Sequence, residues 1–484
     1  MKDTVIVLDL GTTNSKTTLF DAEGSAVAQS SCPTPVVYAG ERMEVEPEKL
    51  WENIRHITRS MLRETPNTFV KAIVISSMAS TLIPLDAAGS PLYNAISWSD
   101  MRTKEYCDDY MSRFVQGFHI ADCGQYPLTQ YSGFKLQWLR DHEPGIYGKT
   151  QKWVNISEFI YHKLTGEEEF YTDYSIASRN MLFDVKKRKW NPAALDFFDV
   201  DPDWLAVPRQ SGTVIGYAAP AIRGGGVTEK TAIVLGGHDH MCSFLGAGIT
   251  KPGIILNSTG TSEAVECLLS DVGRPEDYAE RWINLENSVL PDRTAAVCYV
   301  TATGRVYQSM SCSVKDADQA YSVPPSAEPL FIPPERAMLS TIRGELRGIS
   351  TVFDGPALMR AVMDGMYFEC RRDIERIQGV DQAGDVILRC VGGAAGDPHE
   401  MQCRSDALGH TIEACGEYNA SAAGAFLLGA FGCGMVKDLE ESAKSMYGKA
   451  KKTVYVPDRE RKEQYTQIYR EHYLPCFPEG VQSL

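Results

Sequence analysis

Residues 4–20 read TVIVLDLGTTNSKTTLF and contain two apolar runs separated by a polar turn. The runs, residues 4–10 and 16–20, are rich in the β-branched and aromatic residues of strands, and the Gly-Thr-Thr-Asn segment between them is typical of a tight turn. The sequence therefore predicts a β-hairpin at the start of the chain.

Helical and strand patterns alternate after this hairpin. Helical periodicity at residues 47–63 precedes a buried strand at residues 72–76, which favours an α/β fold. Residues 135–142 and 153–164 are predicted to be amphipathic helices. Further along the chain the pattern predicts a strand at 231–235, a surface loop at 324–334 with five prolines, a helix at 355–378, a strand at 386–391 and a buried helix at 420–432.

A second hairpin is predicted at residues 253–267, where Ile254–Asn257 and Glu263–Cys267 flank the turn Ser-Thr-Gly-Thr-Ser. This repeats the strand, Gly/Thr turn and strand of the amino terminus. We therefore expect two domains of related topology, residues 1–249 and 250–484, with the boundary near residues 246–253.

Composition excludes several classes of protein. The 484 residues include 48 Lys and Arg against 63 Asp and Glu, a net charge of −15, which is unsuited to a basic nucleic-acid-binding protein. No secretion signal is expected, and the most apolar stretch, residues 420–436, is shorter than the ~20 residues of a membrane span. The 13 Cys contain no CxxC pair, so we expect reduced thiols and a cytoplasmic location.

Two turns are candidate phosphate sites. In the first, backbone N–H groups and the hydroxyls of Thr12 and Thr13 would face a phosphate, Gly11 would allow it to approach, and Lys16 would add positive charge. Asp9 would hold a hydrated Mg²⁺, although a Thr-rich hairpin turn capped by Asp9 explains the same residues. The second turn contains Gly260, Thr261 and Ser262. Two such turns favour a polyphosphate held between two domains.

The segment Gly236-Gly237-His238-Asp239-His240 follows a buried strand, at the end of a strand where α/β sheets bind ligands. Asp239 would accept the proton of a substrate hydroxyl that attacks phosphorus. A zinc site is disfavoured, because the chain offers no second His or Cys cluster nearby to complete the ligands. Substrate contact or simple packing explains both histidines better.

Small residues recur at Gly392-Gly393-Ala394-Ala395-Gly396-Asp397-Pro398, between a predicted strand and a helix. Such a turn would let a flat ring lie against the backbone. A dinucleotide-binding GxGxxG motif is disfavoured, because its acidic partner would have to be Glu413 or Glu417, with only a short helix between. No Gly-rich loop ends in Gly-Lys-Ser/Thr, so a P-loop fold is disfavoured.

Taken in order, these segments resemble the FGGY carbohydrate kinase family over nearly the whole chain. Further resemblance lies in Ser76–Asp86 with Trp98–Thr103, which is similar to the sugar-side segment, and in Lys135–Leu139, which is similar to the first signature helix. The resemblance implies two ribonuclease-H-like domains of the sugar kinase, actin and 70-kDa chaperone superfold, with ATP and a sugar in the cleft between them.

The resemblance also implies roles for individual residues. Asp239 would be the general base, Asp9 and Asp239 would bind Mg²⁺, and Ser80, Gln130, Asp239 and His240 would contact the sugar. The expected ATP contacts are Gly11, Thr12, Thr13, Lys16, Gly260, Thr261, Ser262, Gly304, Gln308, Gly393, Ala394 and Asp397. Met78-Ala79-Ser80, Gln130 and His240 depart from familiar sugar contacts, which leaves a ketose, deoxyketose, polyol or sugar acid open as substrate.

The leading hypothesis is therefore an ATP-dependent sugar kinase in the cytoplasm, with a small-molecule substrate, no nucleic-acid or membrane partner, and a homodimer as the expected assembly. Two alternatives remain. One is a sugar or nucleotide sensor that kept the cleft but lost turnover, and the other is an ATPase switch of the same superfold. Trp98 is equally explained as a sugar platform and as ordinary core.

Overall fold

The computed structural model describes residues 2–260, 263–300, 303–333, 344–349, 354–381 and 386–477. In these residues the strands are Lys2–Leu10 (β1), Asn14–Asp21 (β2), Ala26–Pro33 (β3), Val36–Ala39 (β4), Arg42–Val45 (β5), Thr68–Ser77 (β6), Leu82–Leu85 (β7), Ala95–Ile96 (β8), Lys152–Asn155 (β9), Tyr171–Asp173 (β10), Phe183–Asp184 (β11), Lys189–Trp190 (β12), Val207–Arg209 (β13), Val214–Tyr217 (β14), Ala232–His238 (β15), Ile254–Thr259 (β16), Glu263–Leu268 (β17), Asn284–Asn287 (β18), Thr294–Val300 (β19), Leu330–Ile332 (β20), Glu345–Arg347 (β21), Ile387–Val391 (β22), Ile412–Cys415 (β23) and Thr453–Tyr455 (β24).

The α-helices of the same residues are Pro47–Glu64 (α1), Lys104–Val115 (α2), Ser132–His142 (α3), Pro144–Tyr147 (α4), Ile156–Thr165 (α5), Tyr174–Ala177 (α6), Pro192–Phe198 (α7), Asp239–Gly246 (α8), Pro275–Glu280 (α9), Thr303–Ser313 (α10), Gly355–Asp381 (α11), Pro398–Leu408 (α12), Ala420–Gly432 (α13), Leu439–Lys449 (α14) and Arg459–Ile468 (α15). No helix in the described part of the chain combines the length and apolar character needed to cross a membrane.

The first sheet has the strand order β14-β15-β6-β1-β2-β3. β1 pairs antiparallel with β2, from Thr4 with Asp21 to Leu10 with Ser15, which confirms the amino-terminal hairpin. β1 also pairs parallel with β6, and β6 with β15. The residues of β1 from Val5 to Leu8 are buried, because the strand lies inside a sheet that is covered on both faces.

The second sheet repeats this arrangement, with the order β18-β19-β17-β16-β22-β23-β24. β16 and β17 form the predicted second hairpin, β17 pairs antiparallel with β19, and β16, β22 and β23 run parallel. The order of hairpin, third antiparallel strand and two parallel strands is therefore the same in both sheets. A separate five-stranded sheet, β4-β5-β8-β7-β9, belongs to the amino-terminal half.

Two helices pack closely against each other at the junction of these halves. A Cβ added to Gly246 of α8 would lie 1.9 Å from the carbonyl oxygen of Ala420, and one added to Gly424 of α13 would lie 1.9 Å from that of Cys242. Only glycines allow this approach of two backbones. The helices share one hydrophobic core with Val74 of the first sheet and other apolar residues of both sheets.

Two sequence predictions of secondary structure were wrong in part. Residues 153–155 belong to β9 rather than to a helix, because Asn155 caps α5: its backbone N–H donates to Glu158 Oε2 at 2.7 Å, which forms a capping box. In the predicted loop at 324–334, Leu330–Ile332 forms a strand that pairs with Glu345–Arg347. Pro334 lies outside the described residues.

Candidate active site

Adjacent strand ends bring the two candidate carboxylates to one edge of the first sheet. Asp9 of β1 is paired with Ser76 of β6, and Ser76 is paired with Gly237 of β15. Asp239 follows two residues later, as the first residue of α8. The carboxyl ends of parallel strands are where α/β sheets bind ligands, so this edge has the expected position of a site.

A cavity of about 470 Å³, which we call the large cavity, lies between the edges of the two sheets. The first half of the chain contributes Asp9, Gly11, Asn14, Lys16 and Asp239, and the second half contributes Ser258, Gly392, Gly393 and the segment 416–421. Of the residues predicted for the first phosphate turn, Gly11 and Lys16 thus line it. Thr13 is exposed and is not part of its wall.

Asp9 lies in an electrostatically unusual position in the large cavity. Burial and the nearby charge of Asp239 raise its pKa to about 6, against the opposing effects of Lys16 and Asn419. Two carboxylates that repel each other across a cavity form a donor set that suits a divalent cation with oxygen ligands. The residues present therefore fit the predicted Mg²⁺.

The junction of β15 and α8, where Asp239 lies, contacts two glutamates of the second sheet. His238 Nε2 lies 3.1 Å from Asp239 Oδ1, and its Nδ1 lies 3.0 Å from Glu286 Oε2. His240 Nδ1 lies 3.1 Å from Glu266 Oε1. Both glutamates are fully buried. The ligand atoms of the three consecutive residues lie within 4.8 Å of one another, but each imidazole already has a carboxylate partner.

These contacts change the pKa of His240 and of Glu286. Burial by itself would lower the pKa of His240, but Glu266 and, more weakly, Asp239 and Glu286 raise it to about 9. Burial would likewise raise the pKa of Glu286, but Arg179 and His238 hold it below the usual range of a carboxyl. Glu286 is therefore ionised at neutral pH.

A second cavity of about 130 Å³, the small cavity, lies on the other side of Asp239. Its walls are formed by Thr12, Met78, Ala79, Trp98, Gln130, Arg179, His238, Asp239, His240 and Tyr299. The indole N–H of Trp98 donates to the Thr12 hydroxyl at 2.8 Å, which leaves the apolar ring surface of Trp98 for the cavity.

Four residues that the sequence predicts as ligand contacts lie in or beside the small cavity. Thr12, which was expected at the phosphates, lines this cavity and not the large one, and its hydroxyl accepts the hydrogen bond from Trp98. Ser80 was expected to contact the sugar, but it is 1% exposed and its hydroxyl donates to the carbonyl of Arg179. Gln130 and His240, the other predicted sugar contacts, line the cavity.

A third cavity of about 280 Å³, the aromatic cavity, lies in the second half of the chain. Five predicted nucleotide residues line it: Gly260, Gly304, Gly393, Ala394 and Asp397. The remaining wall includes Tyr307, Tyr321, Met363, Met366 and Tyr367. Gln308 is exposed and does not line it, while Thr261 and Ser262 lie outside the described residues.

Asp397 also has a structural role beside this cavity. Its Oδ1 accepts hydrogen bonds from the backbone N–H groups of His399 at 2.8 Å and Glu400 at 3.3 Å, so it caps α12. The preceding turn is set by Gly392, whose φ of 100° and whose approach to the Thr259 carbonyl exclude a side chain.

The three cavities share walls. Asp239 and His240 line both the small and the large cavity, and Gly393 lines both the large and the aromatic cavity. The large cavity is therefore adjacent to both of the others.

Sequence reasoning missed several residues of these walls, above all Arg179, Tyr299, Glu286 and Glu266. Glu266 and Glu286 lie on strands that otherwise contain mostly apolar residues or asparagine. A charged residue in such a strand is the one sequence signal that could have identified them. Arg179 follows a four-residue helix in an irregular segment, and no pattern in the sequence distinguishes it.

Comparison with known proteins agrees with this architecture. The chain matches the N-terminal domain of the FGGY family of carbohydrate kinases over residues 4–246 and the C-terminal domain over residues 257–433. It is 25% identical to the xylulose kinase of Lactococcus lactis, over 96% of this chain and 95% of that protein. It is 27% identical to glycerol kinase 2 of Thermotoga maritima, over 91% and 92% of the two chains.

Solved structures show the same fold. The gluconate kinase of Lactobacillus acidophilus gives a TM-score of 0.88 at 22% identity, covering 98% of this chain and 97% of that one. The glycerol kinase of Plasmodium falciparum, solved with ADP, gives 0.86 at 19% identity and covers 99% of both chains. The predicted α/β fold of sugar kinases, actin and 70-kDa chaperones is confirmed. The chain belongs to the FGGY family of carbohydrate kinases and is a kinase.

Proposed function

We propose that this kinase transfers the γ-phosphoryl group of ATP to a hydroxyl of a sugar or polyol bound in the small cavity, with Asp239 as general base. The observation that carries the proposal is the position of Asp239 in the wall shared by the small and large cavities. A base there would meet a substrate hydroxyl on one side and a phosphate on the other. The aromatic cavity would hold the adenosine.

The protein's contribution to phosphoryl transfer is mainly positioning and neutralisation of charge. Lys16, the turn at Gly11 and the backbone near Gly393 would hold the phosphates, with Thr13, Thr261 and Ser262 as further contacts expected from the sequence. Asp9 and Asp239 would hold Mg²⁺, which when bound neutralises charge on phosphate oxygens. Asp239 would take the hydroxyl proton as the oxygen attacks.

Three further features of the proposal come from the sequence. The division into domains 1–249 and 250–484 would put the large cavity in the cleft between them, and closure of that cleft would exclude water. A homodimer and a cytoplasmic location stay predictions of the same kind.

The experiment incubates the purified protein with Mg-ATP and each member of a panel of ketoses, polyols and aldonates. The release of ADP and the formation of a phosphorylated product are measured. A product that depends on one substrate supports the proposal. ADP release without any sugar would instead favour an ATPase switch, and binding without turnover would favour a sensor.

Asp239→Asn tests the assigned base. We expect kcat to fall by about 10²–10⁴-fold, the usual cost of a lost general base, while the affinity for ATP measured without Mg²⁺ is kept, because Asp239 would otherwise contact the metal rather than the nucleotide. The matched control is Asp196→Asn, at an exposed position of α7 that lines none of the three cavities. Full turnover by Asp239→Asn would refute the role of this residue.

A further inference from the structure

The turn between β1 and β2 lies between two of the cavities. Gly11, Asn14 and Lys16 line the large cavity, whereas Thr12, in the middle of the same turn, lines the small cavity. The turn is tight, because a Cβ added to Gly11 would lie 2.7 Å from the backbone oxygen of Asn14. Each residue has only two soft backbone dihedrals, so the position of Thr12 restricts the orientation of its neighbours. We call residues 11–14 the phosphate turn.

The side chain of Thr12 is held on the side of the small cavity. Its hydroxyl accepts a hydrogen bond from the indole N–H of Trp98 at 2.8 Å and donates to the sulfur of Met78 at 3.9 Å. Trp98 and Met78 are both wall residues of the small cavity. The hydroxyl is therefore turned away from the proposed phosphate site, and any contact of Thr12 with a phosphate would come from its backbone.

Trp98 lies on a loop that is fixed by buried hydrogen bonds. The fully buried carboxylate of Asp100 accepts hydrogen bonds from the backbone N–H of Met43 at 2.6 Å and from that of Arg102 at 3.0 Å. The backbone N–H of Ser97 donates to the Met43 carbonyl at 3.0 Å. These bonds hold the loop against β5, so the indole is in place before any ligand binds, as a positioning residue requires.

Thr34, between β3 and β4, holds the phosphate turn at a second point. Its hydroxyl donates to the Gly11 carbonyl at 2.7 Å, and its backbone N–H donates to the Thr13 carbonyl at 3.0 Å. Both bonds use carbonyl groups of the turn. In the part of the chain that the structure describes, the backbone N–H groups of Thr12 and Thr13 donate to no protein acceptor. Successive free N–H groups in a turn are suited to bind an anion.

We propose that Trp98 is a positioning residue for the phosphates of the nucleotide. By holding the Thr12 side chain at the small cavity, its indole N–H keeps the backbone N–H groups of the phosphate turn available to phosphates in the large cavity. The inference rests on the proposed function, since it takes the large cavity as the phosphate site. It gives Trp98 an effect on nucleotide binding, which neither a sugar platform nor ordinary core packing would have.

The first test uses Trp98→Phe, which keeps an aromatic ring but removes the N–H, and Thr12→Val, which keeps the shape but removes the hydroxyl. Both are titrated calorimetrically, without sugar, with AMP and with the non-hydrolysable ATP analogue adenylyl imidodiphosphate (AMP-PNP). We expect both variants to bind AMP-PNP about fivefold or more weakly, the usual effect of one lost hydrogen bond. Affinity for AMP should be unchanged, because no residue of the phosphate turn lines the aromatic cavity, where adenosine would bind.

Other outcomes of these titrations would overturn the inference. A purely structural role for Trp98 predicts equal losses of affinity for AMP-PNP and AMP, and a sugar platform predicts unchanged affinity for both. If the wild type binds AMP-PNP but phosphorylates no sugar or polyol, the proposed function is refuted, while the titrations still decide this inference. Unchanged AMP-PNP binding by Trp98→Phe of an active kinase would refute only the inference.

The second test combines the two substitutions. The double variant Trp98→Phe/Thr12→Val should bind AMP-PNP no more weakly than either single variant, because both remove the same hydrogen bond, and additive losses would overturn the proposal. Thr12→Ser keeps the hydroxyl and should recover most of the affinity that Thr12→Val loses. The matched control is Trp190→Phe, whose N–H donates to the Ala206 carbonyl at 3.1 Å away from the three cavities; it should bind both nucleotides like the wild type.

Discussion

The Nδ1 atom of His238 lies 3.0 Å from Oε2 of Glu286, although the two residues belong to different sheets. On its other side, His238 Nε2 lies 3.1 Å from Asp239. Glu286 also pairs with Arg179, so one buried carboxylate of the second sheet contacts both the neighbour of the candidate base and a buried arginine of the first half.

Glu286→Gln should therefore destabilise the protein strongly. The substitution keeps the shape of the side chain but leaves Arg179 as an uncompensated buried cation, which typically costs about 3–5 kcal/mol. Chemical denaturation measures the free energy of unfolding. The control is Glu345→Gln, whose ion pair with Arg347 is exposed and should contribute little. Equal stability of the two variants would contradict the importance of the buried pair.

Gly424→Ala should also destabilise the protein, by separating α8 from α13. The new methyl group would lie 1.9 Å from the Cys242 carbonyl oxygen, and overpacking of this kind costs about 1–3 kcal/mol. Gly448→Ala in α14 is the matched control, since nothing lies within 4 Å of its Cβ position. The control should instead gain about 0.5–1 kcal/mol from the lower backbone entropy of the unfolded chain.

Lys135→Met should change the pH dependence of stability. Burial lowers the pKa of Lys135 to about 7, with Arg102 and Arg179 acting in the same direction and Asp100 against it. Between about pH 7 and the ordinary value of 10.5 the unfolded chain binds the proton and the folded chain does not, so this group makes stability rise with pH.

Denaturation of both proteins at pH 7, 8.5 and 10 checks this prediction. The free energy of unfolding of Lys135→Met, relative to that of the wild type, should be highest at or below pH 7. This difference should decrease as pH approaches 10, because burial penalises only the charged form of Lys135. Lys149→Met, at an exposed position, is the control. A difference that does not vary with pH would contradict the burial of a charge at Lys135.

Ala394→Phe should weaken the binding of nucleotide. A phenyl ring would enter the aromatic cavity of about 280 Å³ and occupy space assigned to adenosine. We expect the KM for ATP to rise about tenfold or more, the equivalent of 1.4 kcal/mol, with unchanged affinity for the sugar in the absence of ATP. The exposed Ala193→Phe is the control. An unchanged KM for ATP would contradict the assignment of the aromatic cavity to adenosine.

Local patterns were sufficient for the central strands of both sheets, for the two hairpins and for the ordered series of turns. Apolar runs such as residues 4–10 and glycine-containing turns such as those after β1 and β22 depend on near neighbours in the chain, so the sequence predicted them together with Asp9, Asp239 and most of the cavity glycines. The capping box at Asn155 is also local, and its Asn-x-x-Glu pattern would have prevented the error at residues 153–155.

The composition of the cavity walls was decided only by the tertiary structure. Arg179 reaches Glu286 across 107 positions of sequence, and Thr12 meets Trp98 across 86, so their roles depend on which strands pair and which loops then face each other. The sequence by itself determined the fold and the candidate base, because strand periodicity and turn chemistry are local. Which residues line the cavities beside that base depends on long-range packing, which buries Ser80 and places Arg179 in the wall of the small cavity.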